Sequence, residues 1–137
     1  KYLNKLNTIF KFSNGEFQPK KISKNILDVL SDSGLSMNFI KCGSNKIIDQ
    51  LREQWTDGAN AFALSPGKII GYDCNKRTIE ELRKAGYIEI DAFEYINNYK
   101  KYNLSKKKII ITFNGSELSR GRGGPRCLTL PLFRLEK

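Results

Sequence analysis

Histidine is absent: none of the 137 residues is one. The commonest general base and metal ligand is therefore missing, and any catalysis that needs an imidazole has to borrow it from elsewhere. Long apolar runs are missing as well. Stretches such as Ile109-Ile110-Ile111 fall far short of the ~20 residues a membrane span requires, so no membrane association is expected. No basic segment followed by an apolar core opens the chain, and a secretory leader is not expected. Cysteines number only three and lie far apart, which fits free thiols in a reducing cytosol better than a disulfide framework. Acidic residues are outnumbered, 14 to 24, giving a net charge of +10. Such a balance raises the question of nucleic acid. The lysines are scattered, however, and the densest group, Lys100, Lys101, Lys106, Lys107 and Lys108, surrounds an expected loop. Basic runs of this kind are usually solvated surface, so a nucleic-acid partner is disfavoured.

What is present describes an ordinary globular chain, 39% apolar and 28% charged, expected to form a single domain over residues 1–137. A strand is expected from Thr8 to Phe12, followed by a polar turn at Ser13-Asn14-Gly15. Ser23 is placed as the N-cap of a helix with Ile26, Leu27, Val29 and Leu30 on its apolar face and Gly34 as its stop. A strand is expected between Leu35 and Cys42. Ser44 then caps a second helix whose Ile47, Ile48, Leu51 and Trp55 recur at helical spacing, with Trp55 as its buried end. From Ala59 the pattern shortens. Ala61–Leu64 and Lys68–Tyr72 are strands joined by Ser65-Pro66-Gly67. Thr78 caps a helix through Lys84, ended by Gly86. Ile88–Ile90 is a strand, Phe93–Tyr99 a short helix and Lys108–Phe113 a stronger strand. The order strand, strand, helix, strand predicts an α/β fold with mixed strand directions.

Residues 115–131 concentrate the chemistry: Gly-Ser-Glu-Leu-Ser-Arg-Gly-Arg-Gly-Gly-Pro-Arg-Cys-Leu-Thr-Leu-Pro. Gly121, Gly123 and Gly124 free the backbone to approach a ligand or to adopt positive φ. Arg120, Arg122 and Arg126 put permanent positive charge beside Cys127, a field that favours the nucleophilic thiolate. The same composition also describes a flexible arginine-glycine loop that binds phosphate or RNA, with Cys127 an inert thiol. Composition alone leaves both readings open.

The order of residues is more specific. The run closely resembles the C-terminal signature of arginine deiminases, a Gly-Arg-Gly-Gly-x-x-Cys loop. A second stretch, Trp55-Thr56-Asp57-Gly58-Ala59-Asn60 leading into Ala63–Tyr72, is similar to that family's Asp-Gly-x-Asn segment and its following hairpin. The resemblance runs from about Arg52 to Arg134 and loosely back to residue 9. Phe93–Lys107 departs from it and reads as a surface insertion far from the chemistry.

The resemblance implies an α/β fold of the pentein propeller type, here incomplete, with about two to three of five ββαβ modules. It implies hydrolysis of L-arginine to citrulline and ammonia through a cysteine thiouronium intermediate, with no metal and no cofactor. Residue by residue, it makes Cys127 the nucleophile and Arg122 the partner of the substrate's α-carboxylate, a task suited to a planar guanidinium. Gly121 would contribute a backbone contact and Asn60 would hydrogen-bond the amino-acid part of the substrate. Ser116 and Glu117 would hold the loop, Asp57 would cap a turn, and Cys42 and Cys74 would be bystanders. The family's catalytic histidine and guanidinium-gripping carboxylates have no counterpart here. The chain is thus expected to be the C-terminal portion of a longer enzyme, inactive alone, whose partners are the upstream portion of the same enzyme or further copies of itself. A related amidinotransferase or dimethylarginine hydrolase is the nearest alternative, and a basic RNA-binding module the more distant one.

Overall fold

The structure, a computed structural model, describes residues 11–13, 16–18, 26–35 and 37–133. The chain divides into two compact units, residues 1–39 and residues 40–137. In the first, β1 (Lys11–Ser13) pairs antiparallel with β2 (Glu16–Gln18), and α1 spans Ile26–Asp32. The expected helix is present and stops before Gly34, whose N–H reaches the Ser31 carbonyl at 2.9 Å. Ser23, its expected cap, and residues 8–10 of the expected first strand lie outside the described residues. Between Leu35 and Cys42 no strand forms among the described residues. Alternation there has no neighbouring strand to pair with, and a strand gains its hydrogen bonds only from a partner.

The second unit is built on a mixed four-stranded sheet in the order β3-β4-β6-β5. β3 (Phe62–Ser65) and β4 (Lys68–Tyr72) form an antiparallel hairpin across Pro66-Gly67. Proline presets φ for the first corner and glycine suits the second. α3 (Lys76–Lys84) then crosses to β5 (Tyr87–Asp91), and β6 (Lys108–Phe113) inserts between β4 and β5, parallel to both. The sheet remains open, with β3 and β5 at its edges. A central parallel strand is covered on both faces and so reads as a continuous apolar run. Ile109, Ile110 and Ile111 are accordingly all buried, each contributing about 1.5–3 kcal/mol by leaving water.

The segment expected to be a surface insertion takes part in the core. It folds as α4 (Ala92–Asn97), N-capped by Asp91, and α5 (Tyr99–Leu104). Tyr95 is buried with Ile90, Ile109 and Ile111, and its ring stacks on Tyr102 at 5.8 Å. Aromatic rings two turns apart give large buried area at low entropy cost.

α2 (Ile47–Trp55) overturns a second expectation. Its apolar stripe, Ile47, Ile48, Leu51 and Trp55, is exposed, and the residue it buries is Glu53, 1% accessible. The Glu53 carboxylate accepts from the N–H of Arg77 at 2.8 Å and of Thr78 at 2.6 Å, and from the Thr78 hydroxyl at 2.7 Å. It thereby caps the start of α3 from another helix, where unpaired N–H groups and the helix dipole favour an anion. Thr78 is therefore not the N-cap; it lies inside α3, where its Oγ1 also accepts from Gly43 N at 2.8 Å. Nor does Ser44 occupy the N-cap of α2. That position is Lys46, whose N–H donates to Ser44 Oγ at 3.0 Å.

Candidate functional site

The site gathers at the carboxyl ends of β4 and β6, where ligands of open α/β sheets commonly bind. Tyr72 and Phe113, the last residues of these strands, pair in register. Beyond Phe113 the chain forms the short helix α6 (Ser116–Arg120) and then the glycine-rich loop. Ser119 Oγ donates to the Ser116 carbonyl and Arg120 pairs with Glu117 at 3.1 Å, so these residues hold the loop's entrance.

The loop is clamped against residues that precede it in the chain. The Tyr72 hydroxyl donates to the Gly123 carbonyl at 2.8 Å. A Cβ on Gly115 would stand 2.0 Å from the Tyr72 ring, and one on Gly124 2.5 Å from Asn60 Cβ; only glycine fits at either place. Burial, assisted by the neighbouring charges of Asp57, Cys127 and Cys74, pushes the Tyr72 phenol above its usual range. The left-handed backbone expected of the loop glycines falls instead on Arg122, at φ +63°. Gly121 closes α6 at φ −74°, its N–H engaged by the Leu118 carbonyl at 3.0 Å.

Cys127 follows in a tight turn, its N–H on the Gly124 carbonyl at 2.9 Å. Its side chain is exposed, and Asn60 Nδ2 donates to its sulfur at 2.9 Å. Asn60 owes its position to the end of α2. Asp57 N–H bonds the Gln54 carbonyl and Gly58 N–H the Glu53 carbonyl, with Asp57 at φ +57°, the bond pattern of a Schellman ending with aspartate where glycine is usual. The Asp57 carbonyl then accepts from Asn60 N at 3.0 Å. Asp57 thus closes the helix through its backbone, while its buried Oδ2 has no hydrogen-bond partner.

The three arginines act differently from one another. Arg120 is held by Glu117, and Arg126 contributes its backbone N–H to the Asn60 carbonyl at 3.4 Å. Arg122 lies with Cζ 4.2 Å over the Trp55 ring. Trp55, expected to be buried, is 65% accessible. Helical spacing could find Trp55 but not its partner, 67 positions away along the chain as is Cys127 from Asn60.

Cys42 and Cys74 are half-buried, and burial is the main cause that raises both thiols above the ordinary range, with Glu53 adding to it for Cys42 and Asp73 for Cys74. Raised thiols stay protonated until higher pH, and protonated thiols are poor nucleophiles. Iodoacetamide at neutral pH is therefore expected to alkylate Cys127 at least about tenfold faster than the other two, because Cys127 is exposed while Cys42 and Cys74 are half-buried with raised thiols. Alkylation of Cys42 and Cys74 should quicken once the pH is high enough to ionise their raised thiols. Peptide mass mapping over time checks this; equal rates at pH 7 would contradict it.

Among the described residues no helix is long and apolar enough to cross a membrane. The arginine deiminase family model matches residues 10–134. Relatives named arginine deiminase include one from Mycoplasma capricolum, 43% identical over 84% of this chain and 24% of its own length. One from Listeria monocytogenes is 39% identical over 90% of this chain and 25% of its own. One from Borrelia recurrentis is 37% identical over 89% and 25%. The chain spans about a quarter of the length of these relatives.

Proposed function

Because this chain belongs to the arginine deiminase family, we propose that it supplies the nucleophile and the carboxylate-reading arginine of a site that hydrolyses L-arginine to L-citrulline and ammonia. The observation that supports this reading most is the 2.9 Å hydrogen bond from Asn60 to the Cys127 sulfur. It brings together two sequence signatures that composition alone could not connect.

In this reading the Cys127 thiolate attacks the guanidinium carbon and a sulfur–carbon bond forms. The bond from that carbon to one terminal nitrogen breaks, and ammonia leaves with a proton from an imidazole. That imidazole has to come from outside these 137 residues, which hold no histidine. Water then adds to the carbon, the sulfur leaves as thiol, and the ureido group of citrulline remains. A guanidinium is a poor electrophile, so carboxylates from outside these residues would pair its nitrogens. Arg122 would take the α-carboxylate, Asn60 would orient sulfur and substrate, and Gly121 would offer its carbonyl, since its N–H is already engaged.

We place the chain as the C-terminal part of one catalytic domain, two to three ββαβ modules of a pentein-type propeller working in the cytoplasm, and inactive alone. Its partner is the upstream portion of such an enzyme. The exposed stripe of α2 and the exposed Leu128, Leu130, Leu132 and Phe133 are surfaces that such neighbours, or a second copy, would cover.

The test replaces the matching quarter of the Mycoplasma capricolum enzyme with this chain and assays citrulline colorimetrically. The graft is expected to convert arginine and the isolated chain to form none. A folded graft without citrulline would overturn the assignment.

A further inference from the structure

Resting on the assignment of Arg122 to the substrate's carboxylate, we propose that Trp55 is a positioning residue which sets that guanidinium in its reading orientation. The Arg122 Cζ lies 4.2 Å from the indole centroid, well inside the ~6 Å over which a cation is held by an aromatic face. An aromatic face holds a cation without taking its N–H hydrogen bonds, so the guanidinium's N–H fork is not spent on Trp55. Bidentate recognition of a carboxylate requires that fork. Among the described residues no carboxylate pairs with Arg122, so none of these competes with an incoming carboxylate. An aspartate or glutamate in Trp55's place would hold the arginine as firmly and occupy the fork.

Two further observations point the same way. Arg122 keeps a left-handed backbone, φ +63°, a conformation that non-glycine residues adopt at a cost and that persists where the surroundings impose it. Trp55 is the last residue of α2. The Schellman ending that fixes Asn60 on the sulfur begins at the very next residue. The end of α2 thereby sets two groups at once, the amide on the nucleophile and the platform under the arginine. Freezing a long side chain before substrate arrives removes an entropy loss from the binding step.

Steady-state kinetics of the Mycoplasma capricolum graft with L-arginine test this. Trp55→Leu is expected to raise KM about five- to tenfold, the size of a partly desolvated cation–π contact, with kcat within about twofold, as for binding lost equally in ground and transition states. Trp55→Phe, which keeps an aromatic face, is expected to restore most of the loss. The double variant Trp55→Leu/Arg122→Ala should be no worse than Arg122→Ala alone, because contacting residues do not add. An unchanged KM in Trp55→Leu beside a raised one in Arg122→Ala overturns the proposal and leaves the substrate reading intact, as do fully additive losses. An unchanged KM in Arg122→Ala overturns both. Should the leucine variant not fold, the isolated chain decides, since Trp55 is its one tryptophan: Arg122→Ala is expected to increase acrylamide quenching of Trp55, and unchanged quenching overturns the stack.

Discussion

Cys127→Ser in the grafted enzyme should lower citrulline formation by at least about a thousandfold, the scale on which enzymes respond to loss of a covalent nucleophile. A serine hydroxyl fills the same space and can accept the same Asn60 hydrogen bond, so structure and substrate binding should survive. What it lacks is a readily ionised nucleophile: an alcohol is far less acidic than a thiol and yields little of the anion that attacks. The expected signature is thus a collapse of kcat with KM little changed. Cys42→Ala and Cys74→Ala provide the contrast. Both thiols are half-buried and raised by burial, and neither is expected to alter kcat by more than about twofold, the ordinary range for substitutions that touch no reacting group. Retention of a tenth of the activity by Cys127→Ser, or a comparable collapse in Cys42→Ala, would remove position 127 from the chemistry.

The second large effect concerns stability. Glu53→Ala leaves two backbone N–H groups and the Thr78 hydroxyl without their common acceptor in a buried site. Hydrogen bonds to a charged group are worth about 1.5–3 kcal/mol each, and stranded buried donors cost a similar amount. These bonds share one carboxylate and are not independent, so a total loss of about 3 kcal/mol is expected, a drop in Tm of more than about 10 °C for a unit of this size. Glu53→Gln keeps the shape and one acceptor oxygen, and should lose roughly half as much. Thermal melts followed by far-UV circular dichroism read both. A Glu53→Ala melt within about 3 °C of the unsubstituted chain would mean that another group caps α3.

The two cases separate what local pattern can reveal from what it cannot. β6 was legible because a central parallel strand is apolar on both faces, and Lys108–Phe113 is the range found. The hairpin before α3 was legible from proline and glycine at its turn. Helix α2 was legible as a helix and misread as a surface. Its periodicity nominated Ile47, Ile48, Leu51 and Trp55 for burial, whereas the chain buries a carboxylate because α3 presents unpaired donors to it. Thr78 was misread for the same reason: a local capping rule competes with an acceptor 25 residues away and loses. The departure at Phe93–Lys107 looked like an insertion on the surface, yet it brings Tyr95 into the core.

Composition showed that these 137 residues hold no imidazole, and residue order, through the resemblance it carries, nominated Cys127 among three thiols and put Asn60 and Arg122 in recognisable motifs. These are properties of residue identity and near-neighbour spacing, which the linear chain carries in full. Folding alone decided that Asn60 donates to that sulfur, that Arg122 lies on Trp55 and that Glu53 holds the start of a different helix. Each is a short-range force between residues far apart along the chain, and forces that vanish within a few ångströms act only after the backbone has brought the partners together.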